Sequence, residues 1–287
     1  MRGSSFLSRV LVLTVLVLPA LSQAASYLRV VSWNLRHEGW AAEQSYLEDA
    51  QQLWNQFGSS STSNNGVDLV FLQEVMNTAA AQAVAQNLTQ VSGVTWTAAV
   101  TPLIGRSSYK ESYAVLYRAD TVSLLSSTVW NDTGDLFERE PQVVKVRHVP
   151  TGADYTFLNW HTVWGVAADR KLEAQAIDAV FASVQSSSST DQDVILVGDH
   201  NMACTHASWS ELKAVSPAVT CKLDTPTTLN STGGFANAYD HFWVQDTYVT
   251  EFSSAGRDYI GNTQDYVTRL SDHAPVWLSL YSSSDTD

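Results

Sequence analysis

Short apolar, β-branched runs that stop at a carboxylate, an amide or an imidazole constrain this 287-residue chain more than any other feature. VILVGDHN (Val194–Asn201) passes through four apolar residues and Gly198 into Asp199, His200 and Asn201. VVSWN ends at Asn34, VDLVFLQE at Glu74 and YTFLNWH at His161. AYDHFWV and LSDHAPVWL set Asp240, Asp272 and His273 just before a strand. Apolar runs of this length suit strands buried on both faces. Any one of these ends is ordinary turn chemistry, since Gly, Asp and Asn favour turns. Turns alone do not explain the repetition. In a layered sheet, strand ends converge on one rim, where sites are assembled.

Helical spacing marks Glu43–Phe57, with apolar positions at Tyr46, Leu47, Ala50, Leu53, Trp54 and Phe57; Ala79–Leu88 is Ala-rich and reads as helical, and Arg170–Val184 reads as a second strong helix. A strand–helix–strand unit near the start and a second one after His161 divide the chain into two similar halves. The expected fold class is α/β, each half forming a mixed sheet, with the sheets face to face and the helices outside. The Ser-rich loops Gly58–Gly66 and from Ser186 read as surface connectors. The many tryptophans, Trp40, Trp54, Trp130, Trp164 and Trp209 among them, are expected in core and loop packing rather than in base stacking.

Residues 1–24 read as a secretory signal peptide. Arg2 and Arg9 precede the apolar run Val10–Leu18, and small residues in Pro19–Ala25 offer a cleavage site near Ala25 or Ser26. The run is too short for a comfortable membrane anchor. The mature chain, 25–287, would be extracellular or periplasmic, monomeric and free of the membrane. Removing the segment takes the formal charge from −13 to −15, because it holds two basic residues and no acidic one. Such a chain does not attract nucleic acid through its net field, so a nucleic-acid site needs a local basic patch or bound cations. In an exported protein, Cys204 and Cys221 most simply form one disulfide.

Asn, Asp and Glu oxygens without Cys point to a hard divalent cation, Mg²⁺ or Mn²⁺. Histidines beside carboxylates point to proton transfer. Together they suit attack of water on a phosphate ester.

The motifs SWNLR (Ser32–Arg36), LQEV (Leu72–Val75), GRSSYKESYAVLYR (Gly105–Arg118), REPQVVKV (Arg139–Val146), Trp160–His161, GDHN (Gly198–Asn201), AYD (Ala238–Asp240) and SDHAPV (Ser271–Val276) resemble the endonuclease/exonuclease/phosphatase superfamily, in its order and over nearly the whole mature chain. GRSSYKE followed by REP is most similar to the secreted deoxyribonuclease I branch. The resemblance implies a four-layer α/β-sandwich with two packed mixed sheets, one catalytic domain over 25–287, and cleavage of double-stranded DNA to 5′-phosphate ends with little sequence preference. By the same resemblance Asn34 and Glu74 hold the catalytic ion, with Asp272 supporting it. His161 oriented by Glu111, and His273 paired with Asp240, are the acid and base in an order left open. Asp199 and Asn201 bind the phosphate or a second metal and position water. Arg36, Arg106, Tyr109 and Arg139 match positions that approach DNA, and Asp132, Asp135 and Glu140 resemble a structural Ca²⁺ site, the alternative being an acidic surface loop.

Three positions depart from the family pattern. Met76 stands where an Arg commonly enters the groove, His200 where a Phe is usual, and His241 where an Arg is usual. A phosphodiesterase acting on phospholipid or nucleotide keeps the chemistry with another substrate, and a catalytically idle binding module keeps only the fold. For an acidic enzyme that relies on metal rather than on basic contacts, DNA cleavage is expected to persist well above ~0.15 M salt, where exposed charges are screened. A NaCl titration checks this, and activity vanishing at modest salt overturns it.

Overall fold

The computed structural model describes residues 26–40, 45–58, 66–189, 191–261 and 263–282. The signal segment, the start of the first expected helix and most of the Gly58–Gly66 loop lie outside them. Twelve strands and five helices follow one another as β1 (Ser26–Glu38), α1 (Tyr46–Gly58), β2 (Leu69–Val75), α2 (Thr78–Ser92), β3 (Trp96–Val100), β4 (Ser112–Arg118), β5 (Val122–Val129), β6 (Gln142–His148), β7 (Asp154–Asn159), α3 (Ala167–Gln185), β8 (Val194–Asp199), α4 (Ser210–Ala214), β9 (Val219–Cys221), β10 (Asp240–Gln245), β11 (Phe252–Arg257), α5 (Thr263–Arg269) and β12 (Val276–Ser282).

The strands form two six-stranded mixed sheets, ordered β11-β12-β1-β2-β4-β3 and β5-β6-β7-β8-β10-β9. Both expected strand–helix–strand units are present: β1 and β2 pair in parallel across α1, and β7 and β8 across α3. A parallel pair needs such a crossover, and a helix supplies it. Side chains alternate between two cores. On the inner face, Leu28, Val30, Leu69, Phe71 and Val115 meet Val144, Val146, Tyr155, Phe157, Ile195 and Phe242. On the outer faces, Val31, Trp33, Val70 and Leu72 lie against Ala50, Leu53, Ala81 and Val84 of α1 and α2, while Leu158, Val194, Leu196 and Trp243 lie against Ala174, Ile177 and Phe181 of α3. Burial on both faces accounts for the unbroken apolar runs in the sequence. The result is a four-layer α/β-sandwich.

The sheets do not follow the two halves of the chain. β12 returns to pair with β1, Ser26 opposite Ser282 and Val30 opposite Leu278, and β11 joins it from outside. Sequence patterning does not mark β3, β5, β9 or β11. β5 and β11 are edge strands with serines at several positions, so their apolar signal is weak. Asn77 caps α2 by accepting the Ala80 amide, and Gly93 ends it in a left-handed conformation. Cys204 and Cys221 form the expected disulfide, their Cα atoms 6.3 Å apart. No helix among the described residues is long and apolar enough to cross a membrane.

Asp258, just past β11, is buried and accepts a hydrogen bond from Gln52 of α1 (2.6 Å). Burial pushes its pKa up to about 7, against the weaker pull of the Gln52 and Tyr259 hydrogen bonds. The folded state therefore holds a proton that the unfolded chain releases near pH 4. Stability from this group is full below pH ~4 and falls as the pH rises towards ~7, by up to about 4 kcal/mol. Asp258→Asn is expected to flatten that fall, read as the difference in melting temperature between the two proteins across pH 4–8.

Candidate active site

The ends of β1, β2, β7 and β8 and the starts of β10 and β12 open onto one cleft of about 630 Å³. Its lining includes Arg36, Glu74, Tyr109, Arg139, His161, Asp199, Asn201, Asp272 and His273. Strand register sets the placement. Asp199 and Asp240 are cross-strand partners on β8 and β10, and Asn159 lies opposite Val197, so His161 leaves β7 level with Asp199. Asn34 closes the regular β1–β2 pairing opposite Gln73, and a register shift follows it.

The backbone turns sharply at these ends. The Arg36 amide donates to Asn34 Oδ1 and the Asn201 amide to Asp199 Oδ1, each at 2.9 Å, two copies of one Asx turn. Arg36, His37, Glu74 and Asn201 all have positive φ (45°, 65°, 56° and 48°), which L-residues other than Asn and Asp seldom adopt. Such strain persists only where surrounding contacts over-determine it. Gly198 has φ 139°, and a Cβ there would meet the Trp160 carbonyl oxygen at 2.0 Å. Only glycine lets β8 pass β7 this closely.

Asp199, 1% exposed, is the hub. Asn34 Nδ2 donates to Asp199 Oδ2 at 3.0 Å, and Nε2 of His161 and Nε2 of His273 each lie 3.5 Å from that oxygen. The far side of each imidazole is held by a second acid: His161 Nδ1 donates to Glu111 Oε1 (2.6 Å), and His273 Nδ1 donates to Asp240 Oδ2 (2.8 Å). Asn201 Nδ2 reaches His161 Nε2 at 3.2 Å. Burial works to depress both imidazoles. For His161 the Glu111 charge and hydrogen bond, with the Asp199 charge, together outweigh it and raise the pKa; for His273, Asp240 and then Asp199 raise it well above the ordinary value. Burial works to raise Glu111, yet His161 and Arg139 hold it below the usual carboxylate range.

Supporting contacts come from residues that carry no strand-end signal. Thr227 Oγ1 donates to Asp240 Oδ2 (2.6 Å), and the Tyr113 hydroxyl accepts from the His161 amide (3.0 Å). Trp33 Nε1 and the Tyr266 hydroxyl both donate to the His273 carbonyl (2.8 and 2.9 Å). Beneath the cleft, Gln73 donates to Asn159 (2.7 Å) and Asn159 to Gln142 (3.0 Å), joining the two sheets by side chains. His37 adds a third imidazole, its Nε2 3.3 Å from Glu74 Oε2.

Donor chemistry suits a hard cation. Glu74 and Asp199 both accept from the Asn34 amide nitrogen, at 2.9 and 3.0 Å, so two carboxylates converge on one point, where a divalent ion would be favoured. Asp199, Asp240 and His273 also present ligand atoms within 4.8 Å of one another. Asp272 lines the same cleft.

The cations expected to face DNA are largely committed elsewhere. Arg139 is 4% exposed, with Nε 3.3 Å from Glu111 and Nη2 donating to the Thr162 carbonyl (2.9 Å), so it acts from the wall of the cleft rather than projecting from it. Arg36 Nη1 donates to the Val267 carbonyl (2.7 Å), and Arg106 Nη1 to the Asp135 carbonyl (2.9 Å). Tyr109 donates to Glu111 Oε2 (3.3 Å). Asp132, Asp135 and Glu140 are not brought together as a metal cluster among the described residues. Asp132 instead accepts backbone amides of its own loop, from Gly134, Leu136 and Phe137, and Asp135 turns towards Arg106. Met76 and His241 are buried; both His241 nitrogens meet carbonyls, of Leu223 and Met202. His200 is fully buried beside Trp160, Trp209 and His241, and burial drives its pKa well down, so it is a neutral packing residue.

Two packed mixed sheets thus carry paired His–carboxylate groups at one rim. A model of the Endonuclease/Exonuclease/phosphatase family matches residues 31–273, and the chain belongs to that family. A deoxyribonuclease of Thioalkalivibrio sp. (strain K90mix) is 30% identical over 285 residues, 93% of this chain and 74% of that protein. Deoxyribonuclease-1 of Equus caballus is 28% identical over 92% of this chain and 96% of its own. Among solved structures, an endonuclease/exonuclease/phosphatase family protein of Bacteroides thetaiotaomicron superposes with a TM-score of 0.63 at 18% identity, covering 90% of this chain and 98% of that one. A mannosyl-6-phosphatase of the same species gives 0.61 at 17% identity, covering 88% and 98%. The structural likenesses speak for the fold.

Gly198→Ala is expected to cost several kcal/mol, because clash and backbone strain add. Gly165→Ala, at φ 101° with open space for a Cβ, is expected to cost about 1 kcal/mol. Urea midpoints of the two variants test the ranking, and equal losses would remove the close β7–β8 approach as the reason for Gly198.

Proposed function

We propose that this protein is a secreted, divalent-metal-dependent endonuclease that hydrolyses the phosphodiester bonds of double-stranded DNA with little sequence preference. It works as a single catalytic domain over 25–287, behind the signal segment 1–24, and as a monomer. The observation that carries the reading is the convergence of two buried imidazoles on Asp199, each backed by its own carboxylate. Support also comes from the relatives named deoxyribonuclease and from the family they share.

A phosphate diester is an anion, and the cleft already holds Glu74, Asp199 and Asp272. Alone these carboxylates would repel it. Mg²⁺ or Mn²⁺, held by Asn34 and Glu74 with Asp272 in support, would neutralise the phosphate oxygens when bound. Asp199 and Asn201 would hold the attacking water and a phosphate oxygen between the two imidazoles. One imidazole takes the proton from water as its oxygen bonds to phosphorus. The other gives a proton to the departing 3′ oxygen, leaving a 3′-hydroxyl and a 5′-phosphate. Glu111 and Asp240 fix the Nδ1–H tautomers and stabilise the charged rings.

Plasmid nicking by the mature protein is expected in Mg²⁺ and not in EDTA. His161→Ala should lower kcat by about 10²–10⁴. An intact fold that leaves plasmid untouched and hydrolyses a phospholipid or nucleotide would assign the site to another substrate. Nicking that survives His161→Ala would remove His161 from the chemistry.

A further inference from the structure

Four of the large tryptophans meet the packing expectation: Trp33, Trp160, Trp209 and Trp243 are fully buried. Trp164 does not. It is 65% exposed and lines the active cleft, three residues after His161 on the loop between β7 and α3. Tyr239, another lining residue, lies 6.4 Å from it at 57° between ring planes. On one side of the indole sits the guanidinium of Arg170, 5.5 Å from the ring centroid. Arg170 forms no ion pair among the described residues, and its Nη1 is covered without a hydrogen-bond partner. Gly165, with φ 101°, makes the turn that follows the indole before α3 begins.

A large apolar ring left in water at the edge of a polar cleft costs solvation unless it meets a partner. Here the ring is joined to an uncompensated cation and faces the same space as the two catalytic imidazoles. That pairing suits a polynucleotide strand, which offers a flat π-face and a phosphate at each step. In a duplex the base faces are hidden by stacking, so the ring is useful only for bases outside a helix.

We infer that Trp164, with Arg170 beside it, forms a stacking platform for an unpaired nucleobase next to the scissile phosphate and so sets how tightly a single strand is held relative to duplex. This rests on the endonuclease reading above and adds a specificity-determining residue to it. Val166 and Leu172 are also exposed near this loop in the chain (62% each), and an apolar lip would suit a lipid surface. The uncompensated cation against the ring and the position in the cleft favour the nucleobase.

The test is binding, separated from cleavage. In a His161→Ala background with Mg²⁺, a fluorescein-labelled single-stranded 12-mer and its duplex are titrated by anisotropy. Adding Trp164→Ala should weaken single-strand binding about tenfold more than duplex binding, within the range of one base–aromatic stack. Trp164→Phe should recover most of the loss. The same strand as RNA separates the two sources of an unpaired base, and Trp164-dependent binding of either strand supports the platform. Equal weakening on strand and duplex, or none on the strand, overturns it. So does Trp164-dependent binding to phosphatidylcholine vesicles with no effect on the strand. Should the wild-type protein nick no DNA, the endonuclease reading fails, while the anisotropy still decides on the platform.

Discussion

A single carboxylate, that of Asp199, organises the rim of this protein. A carboxylate 1% exposed is tolerable only when hydrogen bonds and opposite charge replace its water. Asp199 obtains both: the Asn201 amide and the Asn34 side chain donate to it, and two imidazoles close on it at 3.5 Å. Each of those imidazoles is in turn tied to an acid of its own. The arrangement alternates negative and positive groups from Glu111 through His161, Asp199 and His273 to Asp240. Removing any member takes from a buried charge one of its partners, so the chain of contacts is cooperative in the way buried polar networks are.

That network fixes what the fold must do. Asp199 and Asp240 stand opposite one another only in the observed β8–β10 register, and a shift by one residue would turn both towards the wrong face. His161 arrives level with them because β7 and β8 pair in parallel and Gly198 lets the strands approach. Asn34 and Glu74 come from the other sheet, so the two sheets must be locked in relation to each other. The Gln73–Asn159–Gln142 hydrogen bonds do that immediately beneath the cleft. Four left-handed residues at the rim show where conformational strain is spent on the site rather than on stability.

The sequence makes the strand ends legible because two independent constraints act there. Burial demands apolar runs, and the chemistry demands that they stop at Asn, Asp, Glu or His. The three long helices are legible, α1 from its spacing and α2 from its alanine-rich run, and each buries one face. The return of β12 to β1 is not legible, because pairing Ser26 with Ser282 spans the chain and leaves no local trace. Thr227 and Tyr113 are invisible for the same reason: each is an ordinary residue made important by what the fold puts beside it. The Asp132 loop shows the converse. Its acids read as an ion site or an acidic surface loop, and the amides that Asp132 accepts from its own backbone are not visible in composition.

The same limit applies to the basic residues, with a consequence for how an anion is bound. Arg36, Arg106 and Arg139 lie in motifs that resemble DNA contacts, yet each gives hydrogen bonds to the protein itself. In a chain of net charge −13 they provide little long-range attraction. Under the proposed function, affinity for a polyanion would come from short-range terms: a divalent ion between carboxylates, hydrogen bonds to phosphate, and contact with aromatic surface. None of these depends on a diffuse counterion atmosphere as a row of exposed lysines does. An acidic surface and a cleft that, as proposed, would bind through metal and stacking are therefore compatible, because net charge acts at a distance while those forces would act in contact.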